Sequence, residues 1–462
     1  MSYFYGGIPE EFLKARKKII PNELWSDFEN FLQADLKKCI RVNKKKEINF
    51  REVAKENNWK IKKVPWLENG YWILEYEENP AKSIDHFAGN FYFQDASSQV
   101  PVEFLEISQG DVILDMCASP GSKATQISQK LAKGLLIANE SDKKRLPQLF
   151  FNIEKCFSPN AAVWNFDGRK IGDIFPENFD KILLDAPCSG EGAKKDREFF
   201  RRWKKREIMK FSFLQKELLS SAFFALREGG ILLYSTCTFS PEENEENIDF
   251  LLNRFKGKIE LEKLESKFFH PGTQGENKDK LLRIFPEKNL RGGFFVAKFR
   301  KTSSVNLDGK KVYFKSRFEM LRKKRWLDFN SFLKKTFDLG ESIRRENLFL
   351  TKEDEIFYFE GKIDKKIAPA LSLGIKIAKV IKDGKFKLST AFIQNFGFKF
   401  EKNVVGIEKE DAFKFIRGEN LEVGDLELGT YAVKYKNIFL GTGLVQKKGK
   451  LKNQVSRKNV II

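Results

Sequence analysis

The amino-acid sequence predicts an α/β protein with a parallel central sheet, and the order of its apolar segments indicates this. Five short apolar runs occur between residues 112 and 240, and helical patterns separate them. Uninterrupted apolar strands that alternate with helices are typical of a parallel sheet covered on both faces. The five runs are VILDMC, LLIANES, AAVWNFD, KILLDAPC and GGILLYSTCTFS.

The chain of 462 residues is too long for one hydrophobic core, and its patterns divide it into four segments. Residues 1–85 mix helical patterns with short apolar runs, which predicts a small α/β module. Residues 86–301 hold the parallel sheet, closed by an antiparallel hairpin in LLRIFP and GGFFVAKF. Residues 302–344 predict a linker with helices, and residues 345–462, with strand-like runs and glycine turns, predict a mostly-β domain.

The net charge of +20 predicts a polyanionic partner. A lysine-rich codon bias would also raise the glutamate content, so it does not explain the excess of positive charge. Nucleic acid is the commonest polyanion that a protein meets. A membrane is not expected as a partner, because the sequence has no separate basic amphipathic segment and no apolar run of membrane-spanning length.

The five cysteines, an odd number, predict free thiols in a reducing compartment, and we expect the protein to be cytoplasmic. The N-terminal segment lacks the order of charged and apolar residues that marks a signal peptide. Two histidines and no closely paired cysteines give no indication of a zinc site.

Acidic residues stand at the ends of four successive predicted strands: Asp115, Glu140, Asp167 and Asp185. Ligands of open α/β sheets bind beyond the carboxyl ends of the strands. Taken alone, Asp115 could cap a helix and Glu140 could be a solvated strand end. Four such residues in order favour a common ligand site at one edge of the sheet.

The first predicted strand runs into CASPGSK, a tight Pro-Gly turn that precedes a helix. The amides of a helix start, with Lys123 beside them, suit a carboxylate or a phosphate. Glu140 at the end of the second strand suits the two hydroxyls of a ribose. The turn is not a G-x-G-x-x-G fingerprint and no P-loop is present, so S-adenosyl-L-methionine fits better than NAD or ATP.

Two cysteines follow neighbouring predicted strands. Cys188 comes after the fourth strand and Cys237 after the fifth, both in polar turns, whereas Cys39 and Cys156 are predicted to be small buried residues. Adjacent strands would place the thiols of Cys188 and Cys237 at the same edge of the sheet, near the methyl donor.

A pair of thiols suits methylation of a pyrimidine at carbon 5, which is a poor nucleophile. Addition of a thiolate at carbon 6 makes carbon 5 reactive and divides one hard step into two easier ones. Asp185 is placed to hydrogen-bond the ring at nitrogen 3. The second thiol would assist loss of the carbon-5 proton, and the residue pattern leaves open which of the two thiols attacks.

Three motifs, DMCASPGSKATQIS, LLDAPCSGEG and YSTCTFSPEENE, resemble the RNA (cytosine-5) methyltransferase family. The resemblance implies a Rossmann-like S-adenosylmethionine-dependent methyltransferase sheet, with Cys237 as the nucleophile, Cys188 as the release cysteine and Asp185 at the base. It also implies that Asp167 lies near the adenine. The residues that it assigns to the cofactor pocket are Cys117, Ala118, Ser119, Pro120, Gly121, Ser122, Lys123, Glu140, Asp167 and Asp185.

The resemblance extends to both ends of the chain. The segments around Arg41 and Gln94 are similar to the N-terminal part of this family, which implies that residues 1–85 bind RNA. The tail, with APALSLGIK, AFKFIRGENL and FLGTGLVQKKGKLKN, resembles the PUA-like domain of bacterial 16S rRNA methyltransferases of the F type. This likeness implies 16S rRNA or the small ribosomal subunit as partner for a monomeric enzyme. One departure is Ser122 in PGSK, where many members have PGGK.

Three basic segments are candidates for RNA contact: RRWKKRE (201–207), LRKKRW (321–326) and KKGKLK (447–452). Tryptophan interleaved with positive charge, as in the first two, suits phosphates and unpaired bases, although a solvated helix face has the same pattern. Two alternatives to rRNA methylation remain: methylation of tRNA, and a non-catalytic RNA-binding assembly factor. The intact cysteines argue against the second alternative.

Overall fold

The computed structural model describes residues 8–46, 48–193, 199–200, 203–305, 312–339 and 343–455. These residues form four β-sheets. The largest sheet lies in the middle of the chain, a small sheet precedes it, and two five-stranded sheets follow it.

The N-terminal part contains four α-helices and a four-stranded antiparallel sheet. Its strand order is β2-β3-β1-β4. The second helix ends at Gln33, where the chain becomes extended at Ala34, and the chain then enters the sheet as β1, between β3 and β4. The elements are α1 (Glu10–Lys17), α2 (Trp25–Gln33), β1 (Lys38–Val42), α3 (Phe50–Glu56), β2 (Lys60–Lys63), β3 (Gly70–Glu75), α4 (Ile84–Phe87) and β4 (Phe91–Phe93).

The central sheet contains the five predicted strands and the predicted hairpin. Its strands are β5 (Val112–Asp115), β6 (Leu135–Asn139), β7 (Ala161–Trp164), β8 (Phe179–Asp185), β9 (Leu226–Thr236), β10 (Ile259–Glu262), β11 (Leu282–Ile284) and β12 (Phe294–Lys301). The helices beside it are α5 (Val100–Glu103), α6 (Ser122–Lys130), α7 (Leu146–Lys155), α8 (Ile171–Ile174), α9 (Lys205–Ala225) and α10 (Glu245–Arg254).

Strands β9, β8, β5, β6 and β7 are parallel neighbours, and β12 adds to β9 in the antiparallel direction. Almost every side chain of β5 to β8 is buried, and the two faces of the sheet belong to two separate apolar clusters. The predicted α/β class with a buried parallel sheet is confirmed, since only a sheet covered on both faces requires uninterrupted apolar strands.

The C-terminal part is mostly β, as predicted. In the described part of residues 302–344 there is one α-helix, α11. The elements are β13 (Glu319–Met320), α11 (Lys323–Phe337), β14 (Leu348–Leu350), β15 (Glu355–Tyr358), β16 (Ser372–Leu373), β17 (Ile375–Val380), β18 (Phe386–Leu388), α12 (Thr390–Phe396), β19 (Val404–Gly406), α13 (Lys409–Ile416), β20 (Leu421–Glu422), β21 (Gly429–Tyr435), β22 (Ile438–Lys447) and β23 (Lys450–Asn453).

The short strand β16 belongs to the central sheet although it lies in the C-terminal part of the chain. It pairs antiparallel with β7, so the order across the sheet is β10-β12-β9-β8-β5-β6-β7-β16. The indole of Trp164 on β7 donates a hydrogen bond of 3.0 Å to the Lys366 carbonyl. The predicted domain boundary near residue 345 stays a prediction. Strand β16 lies on the C-terminal side of that boundary, yet it pairs with the edge strand of the central sheet, β7.

Within the described residues, no helix is long and apolar enough to cross a bilayer. In the same part of the chain, histidine, cysteine and carboxylate side chains form no cluster suited to a metal ion.

Candidate active site

Cys188 and Cys237 lie at the same edge of the central sheet. Cys188 follows β8 and Cys237 follows β9, and these parallel strands are in register at Asp185 and Ser235. The two Sγ atoms are 3.4 Å apart, and both cysteines are half-buried and in the thiol form, not joined in a disulfide. The structure therefore brings together the two thiols that the strand order predicted to be neighbours.

The environment of Cys188 favours its protonated form. The hydrogen bond to Cys237 raises the pKa of the Cys188 thiol well above its usual value, and burial and the charges of Cys237 and Glu243 raise it further. A thiol that keeps its proton at neutral pH can donate it to a neighbouring sulfur atom.

The loops that carry the two cysteines are joined by direct contacts. The Gly192 amide donates a hydrogen bond of 2.7 Å to the Cys237 carbonyl. The hydroxyls of Ser189 and Thr238, each next to a cysteine, are also 2.7 Å apart. These contacts fix the distance between the thiols, because neither loop can move without breaking them.

The SPEENE segment supplies residues to the site that the sequence reasoning did not assign. Asn244 accepts a hydrogen bond of 2.6 Å from the Thr236 hydroxyl and donates one of 2.9 Å to the Thr238 carbonyl. It thus binds the chain on both sides of Cys237. Its neighbour Glu243 is fully buried and accepts the Ser189 amide at 2.9 Å. A run of polar residues directly after the cysteine turn is the sequence signal for both.

Asp185 is held by two donors. One carboxylate oxygen accepts a hydrogen bond of 2.7 Å from the Lys123 ammonium, and the other accepts one of 2.8 Å from the Ser235 hydroxyl. Lys123 is almost fully buried and also contacts the Ser98 hydroxyl at 2.9 Å. Lys123, predicted to serve an anion at the helix start, is paired with Asp185, and its role toward a ligand stays a prediction.

The turn from Cys117 to Lys123 joins β5 to α6. The Ala118 amide donates a hydrogen bond of 2.8 Å to the Asn139 carbonyl of β6, which fastens the turn to the next strand. Gly121 has a φ of +107°, and a Cβ there would lie 3.2 Å from Leu149, so the position requires glycine. Ser122 is the first residue of α6, so the departure from PGGK adds a hydroxyl at a helix start.

Arg41, on strand β1, supports the turn from Cys117 to Lys123 through hydrogen bonds. It is fully buried, and its guanidinium donates hydrogen bonds of 2.6 Å to the Ser122 carbonyl and to Gln94, and one of 2.7 Å to the Thr125 hydroxyl. An arginine within an otherwise apolar strand can be recognised in the sequence, but the sequence does not show which groups it contacts. The N-terminal sheet is therefore part of the support for the turn.

Asp115 is a buried carboxylate without a partner. It is 1% exposed, and neither of its oxygens has a hydrogen-bond partner among the described residues. Burial raises its pKa to about 8, and the charge of Asp185 adds to the effect. Such a group is costly unless a cation or a donor arrives.

The other two strand-end acids have partners. Glu140 is nearly fully buried, accepts the Asp142 amide at 2.8 Å and lies 3.2 Å from the Arg145 guanidinium. Asp167 accepts hydrogen bonds of 2.7 Å and 3.0 Å from the Arg169 guanidinium. This contact lowers the pKa of Asp167, so the carboxylate is charged at neutral pH.

These groups suit S-adenosyl-L-methionine. The unpaired carboxylate of Asp115 can accept a cationic group, and this cofactor carries an ammonium and a sulfonium. Glu140 at the end of β6 can accept hydrogen bonds from ribose hydroxyls. The absence of a side chain at Gly121 leaves the backbone of the turn open to a ligand.

The basic segments contain two tryptophans, Trp203 and Trp326. Trp203 donates a hydrogen bond of 2.6 Å to Glu191 and packs edge-on against Phe12, and Trp326 donates one of 2.8 Å to the Ile343 carbonyl. Both indoles are half-buried and make contacts within the protein, and stacking of their faces on bases stays a prediction. The exposed cations that remain on the described part of these segments are Lys204, Lys205, Arg206, Arg322, Lys323, Lys324, Lys447, Lys448, Lys450 and Lys452. Arg201 and Arg202 lie outside the described residues.

Three family descriptions match the chain in order. They are the N-terminal domain of 16S rRNA methyltransferase RsmF at residues 8–96, 16S rRNA methyltransferase RsmB/F at residues 102–300, and the methyltransferase RsmF PUA domain at residues 402–461. Together they span the N-terminal sheet, the central sheet and the last sheet.

Similar proteins include two curated relatives of nearly the same extent. Ribosomal RNA small subunit methyltransferase F of Vibrio vulnificus is 35% identical over 449 residues, 94% of each chain. The protein of that name from Shewanella piezotolerans is 34% identical over 466 residues, 97% of this chain and 96% of the relative.

Two crystal structures from Pyrococcus horikoshii share the fold over 65% of this chain. A methyltransferase homolog protein is 30% identical with a TM-score of 0.56, covering 65% of this chain and 99% of the other. NSun6 with SFG, an analogue of S-adenosyl-L-methionine, is 25% identical with a TM-score of 0.58, covering 65% of this chain and all of the other.

The fold, the site and these likenesses define an RNA methyltransferase that uses S-adenosyl-L-methionine and has a Rossmann-like catalytic sheet. Its C-terminal part includes a PUA domain. The chain belongs to the 16S rRNA methyltransferase RsmB/F family.

Proposed function

We propose that the protein forms 5-methylcytosine in the 16S rRNA of the small ribosomal subunit, with Cys237 as nucleophile and Cys188 as the residue that assists release. The observation that carries this proposal is the pair of reduced thiols, 3.4 Å apart beyond the ends of neighbouring strands. The names of the relatives, which span the same length of chain, support small-subunit rRNA as the substrate.

The chemistry begins with addition of the Cys237 thiolate to carbon 6 of the cytosine, which makes carbon 5 nucleophilic. Asp185 would hold the polar edge of the base. The ammonium of Lys123, 2.7 Å from Asp185, keeps that carboxylate in place. S-adenosyl-L-methionine supplies an electrophilic methyl group when it is bound. Cys188 then assists removal of the carbon-5 proton, so that the carbon–sulfur bond can break.

The residues that we propose to hold the cofactor fall into two groups. The turn Cys117–Lys123, comprising Cys117, Ala118, Ser119, Pro120, Gly121, Ser122 and Lys123, shapes one wall. Glu140 would receive the ribose, Asp167 would lie near the adenine, and Asp185 would stand between the cofactor and the base. The unpaired carboxylate of Asp115 adds a cation-binding group that the sequence reasoning placed only at a strand end.

RNA binding would use the exposed lysines and arginines of the N-terminal, central and C-terminal parts. Their spread over the chain supports contact with a large, folded RNA through its phosphates. We propose that the enzyme acts as a monomer. The five cysteines, all in the thiol form, support the cytoplasm, where small subunits are assembled, as its compartment.

The test of the two cysteine roles is a denaturing gel of each variant with target RNA and S-adenosyl-L-methionine. Cys188→Ala should methylate once and then accumulate an RNA–protein adduct, because release is impaired. Cys237→Ala and the double variant should form no adduct, because the covalent bond requires Cys237. An adduct in Cys237→Ala but not in Cys188→Ala would reverse the two roles.

The identity of the substrate is tested by bisulfite sequencing of rRNA and tRNA from cells with and without the gene. We expect one cytosine of 16S rRNA to lose its methyl group in the deletion strain. A loss confined to tRNA would replace the proposed substrate, and no loss in either RNA would contradict the proposed activity.

A further inference from the structure

Glu243 contacts the loop that carries the release cysteine, and the proposed reaction gives it no role. Its side chain is fully buried. One carboxylate oxygen accepts two hydrogen bonds of 2.9 Å, from the Ser189 amide and from the Gln215 side chain. The other oxygen has no partner among the described residues. Burying a carboxylate with an unpaired oxygen costs free energy of folding. A group kept at that cost indicates a functional role.

The contact to Ser189 is specific, because that amide belongs to the peptide bond that joins Cys188 to Ser189. We propose that Glu243 is a positioning residue for Cys188: it holds the thiol at carbon 5 and receives, through Cys188, the proton that leaves carbon 5. This inference rests on the proposed roles of Cys237 and Cys188.

The adduct holds a methyl group and a proton on carbon 5 and the Cys237 sulfur on carbon 6. Cys188 takes the carbon-5 proton as its own proton passes to the spare oxygen of Glu243, and this transfer requires the thiol to turn from Cys237 toward that oxygen when RNA is bound. The electron pair of the C–H bond forms the C5–C6 double bond, and the pair of the C6–S bond returns to Cys237 as a thiolate. Once the RNA leaves, the proton returns to water through the half-buried Cys188 thiol, so that one proton is released per methyl group transferred.

Other carboxylates at this edge of the sheet are engaged. Both oxygens of Asp185 accept hydrogen bonds, from Lys123 and Ser235. Both oxygens of Glu191 also accept hydrogen bonds, one from the Trp203 indole and the other from the Phe239 amide. Asp115 has free oxygens but stands at the end of β5, on the cofactor side of β8. Glu243 is the carboxylate that combines a spare oxygen with contact to the Cys188 loop.

The charged surroundings of Glu243 suit proton exchange near neutral pH. Burial raises its pKa to about 7, and the charge of Glu191 adds to this effect. The other titratable groups on which its charge acts are Cys188, Tyr234 and Arg16. A carboxyl group with this pKa accepts a proton and gives it up again at physiological pH.

The test is a single-turnover assay with Glu243→Gln, which keeps an oxygen for the Ser189 amide but cannot take a proton. Adduct and free methylated RNA are followed on denaturing gels between pH 6 and pH 9. We expect methyl transfer to continue while release slows by about a hundredfold. Wild-type release should rise with pH around a midpoint near 7, and that dependence should vanish in the variant.

Two measurements separate this role from a structural one. The pKa of Glu243 in the fold, about 7, lies above its ordinary value of 4.5. Its contribution to stability is therefore present below pH 4.5 and is lost as pH rises through 7. Glu243→Gln should melt no lower than the wild type at pH 8. Gln215→Ala keeps the carboxylate but removes a hydrogen bond that lowers the pKa of Glu243, so its release should still depend on pH, with the midpoint moved to higher pH.

The outcomes distinguish this inference from the proposed function. Glu243→Asp should restore part of the release rate together with its pH dependence. Release from Glu243→Gln at the wild-type rate and with the wild-type pH profile, while Cys188→Ala still traps RNA, would overturn the role of Glu243 alone. If Cys188→Ala traps no RNA, the assignment of Cys188 fails first.

Discussion

A buried carboxylate without a partner makes ligand binding depend on pH, and Asp115 is such a group. Its pKa of about 8 means that most molecules carry it protonated at pH 6. A cationic cofactor binds the ionised form, so binding must first remove that proton. Each pH unit below 8 therefore weakens the apparent affinity by about tenfold.

We predict that the affinity for S-adenosyl-L-methionine rises about tenfold between pH 6 and pH 7. Asp115→Asn should bind the cofactor weakly and show no such rise, because it has no proton to lose. Titration calorimetry in two buffers of different ionisation enthalpy would measure both the affinity and the released proton. Asp173→Asn, which changes an exposed carboxylate on α8, is the matched control and should keep the wild-type pH dependence. A pH-independent affinity in the wild type would refute this prediction.

At the level of single residues, the sequence predicted the members of the site that end strands. Cys188, Cys237 and Asp185 could be placed because the topology of a parallel sheet brings the carboxyl ends of its strands to one edge. Glu243 and Asn244 could not be placed. They lie in a turn whose partners are on other loops, and nothing in the order of the polar residues shows which of them face inward.

At the level of elements, strand β1 belongs to the N-terminal sheet and also supports the turn from Cys117 to Lys123, which joins β5 to α6. Arg41 leaves β1 and reaches the first turn of α6 through the Ser122 carbonyl and the Thr125 hydroxyl. Burial lowers its pKa to about 10, which leaves the guanidinium charged at neutral pH. The turn thus depends on an element that is about eighty positions earlier in the sequence.

We predict that Arg41→Met lowers the free energy of unfolding by about 3 kcal/mol, because several buried acceptors lose a charged donor. The loosened turn should also weaken cofactor binding. Denaturant unfolding and a binding titration measure the two effects. Arg51→Met, at an exposed arginine of the same part of the chain, should leave both unchanged. Equal behaviour of the two variants would show that Arg41 does not support the turn.

The elements that the sequence predicted well are those with a strong pattern of their own. Strands β5 to β9 are uninterrupted apolar runs, and burial on both faces makes such a run recognisable. Strands β13 and β16 have two residues each, too short for any period, and they exist because a neighbouring strand offers free backbone groups. Contacts with distant parts of the chain decide these elements, and local sequence does not record them.

At the scale of the whole molecule, positive charge is spread over segments far apart in the chain. Arg322, Lys323 and Lys324 are exposed at the start of α11, and Lys334 and Lys335 are exposed at its end. A protein that neutralises phosphates with such groups releases counterions from the RNA. The affinity for RNA should therefore fall steeply with salt.

We predict that changing Arg322, Lys323 and Lys324 together to glutamine weakens RNA binding and lowers the slope of log K against log salt by about 2 to 3. Cofactor affinity should not change. The matched control is Lys334→Gln with Lys335→Gln on the same helix, which should reduce the slope much less. Filter binding at several salt concentrations measures the slopes. An equal reduction in both variants would show that the start of α11 is not a specific contact surface.

The pairing of β16 with β7 has a consequence for the order in which the enzyme is made. During synthesis the strands β5 to β12 are complete once Lys301 has left the ribosome, but the edge of β7 stays open until Leu373 follows. An open strand edge is a template for pairing with another chain. The newly made catalytic sheet is therefore exposed to misassembly while some seventy further residues are translated. Truncated proteins that end before Ser372 would keep the edge of β7 permanently unpaired.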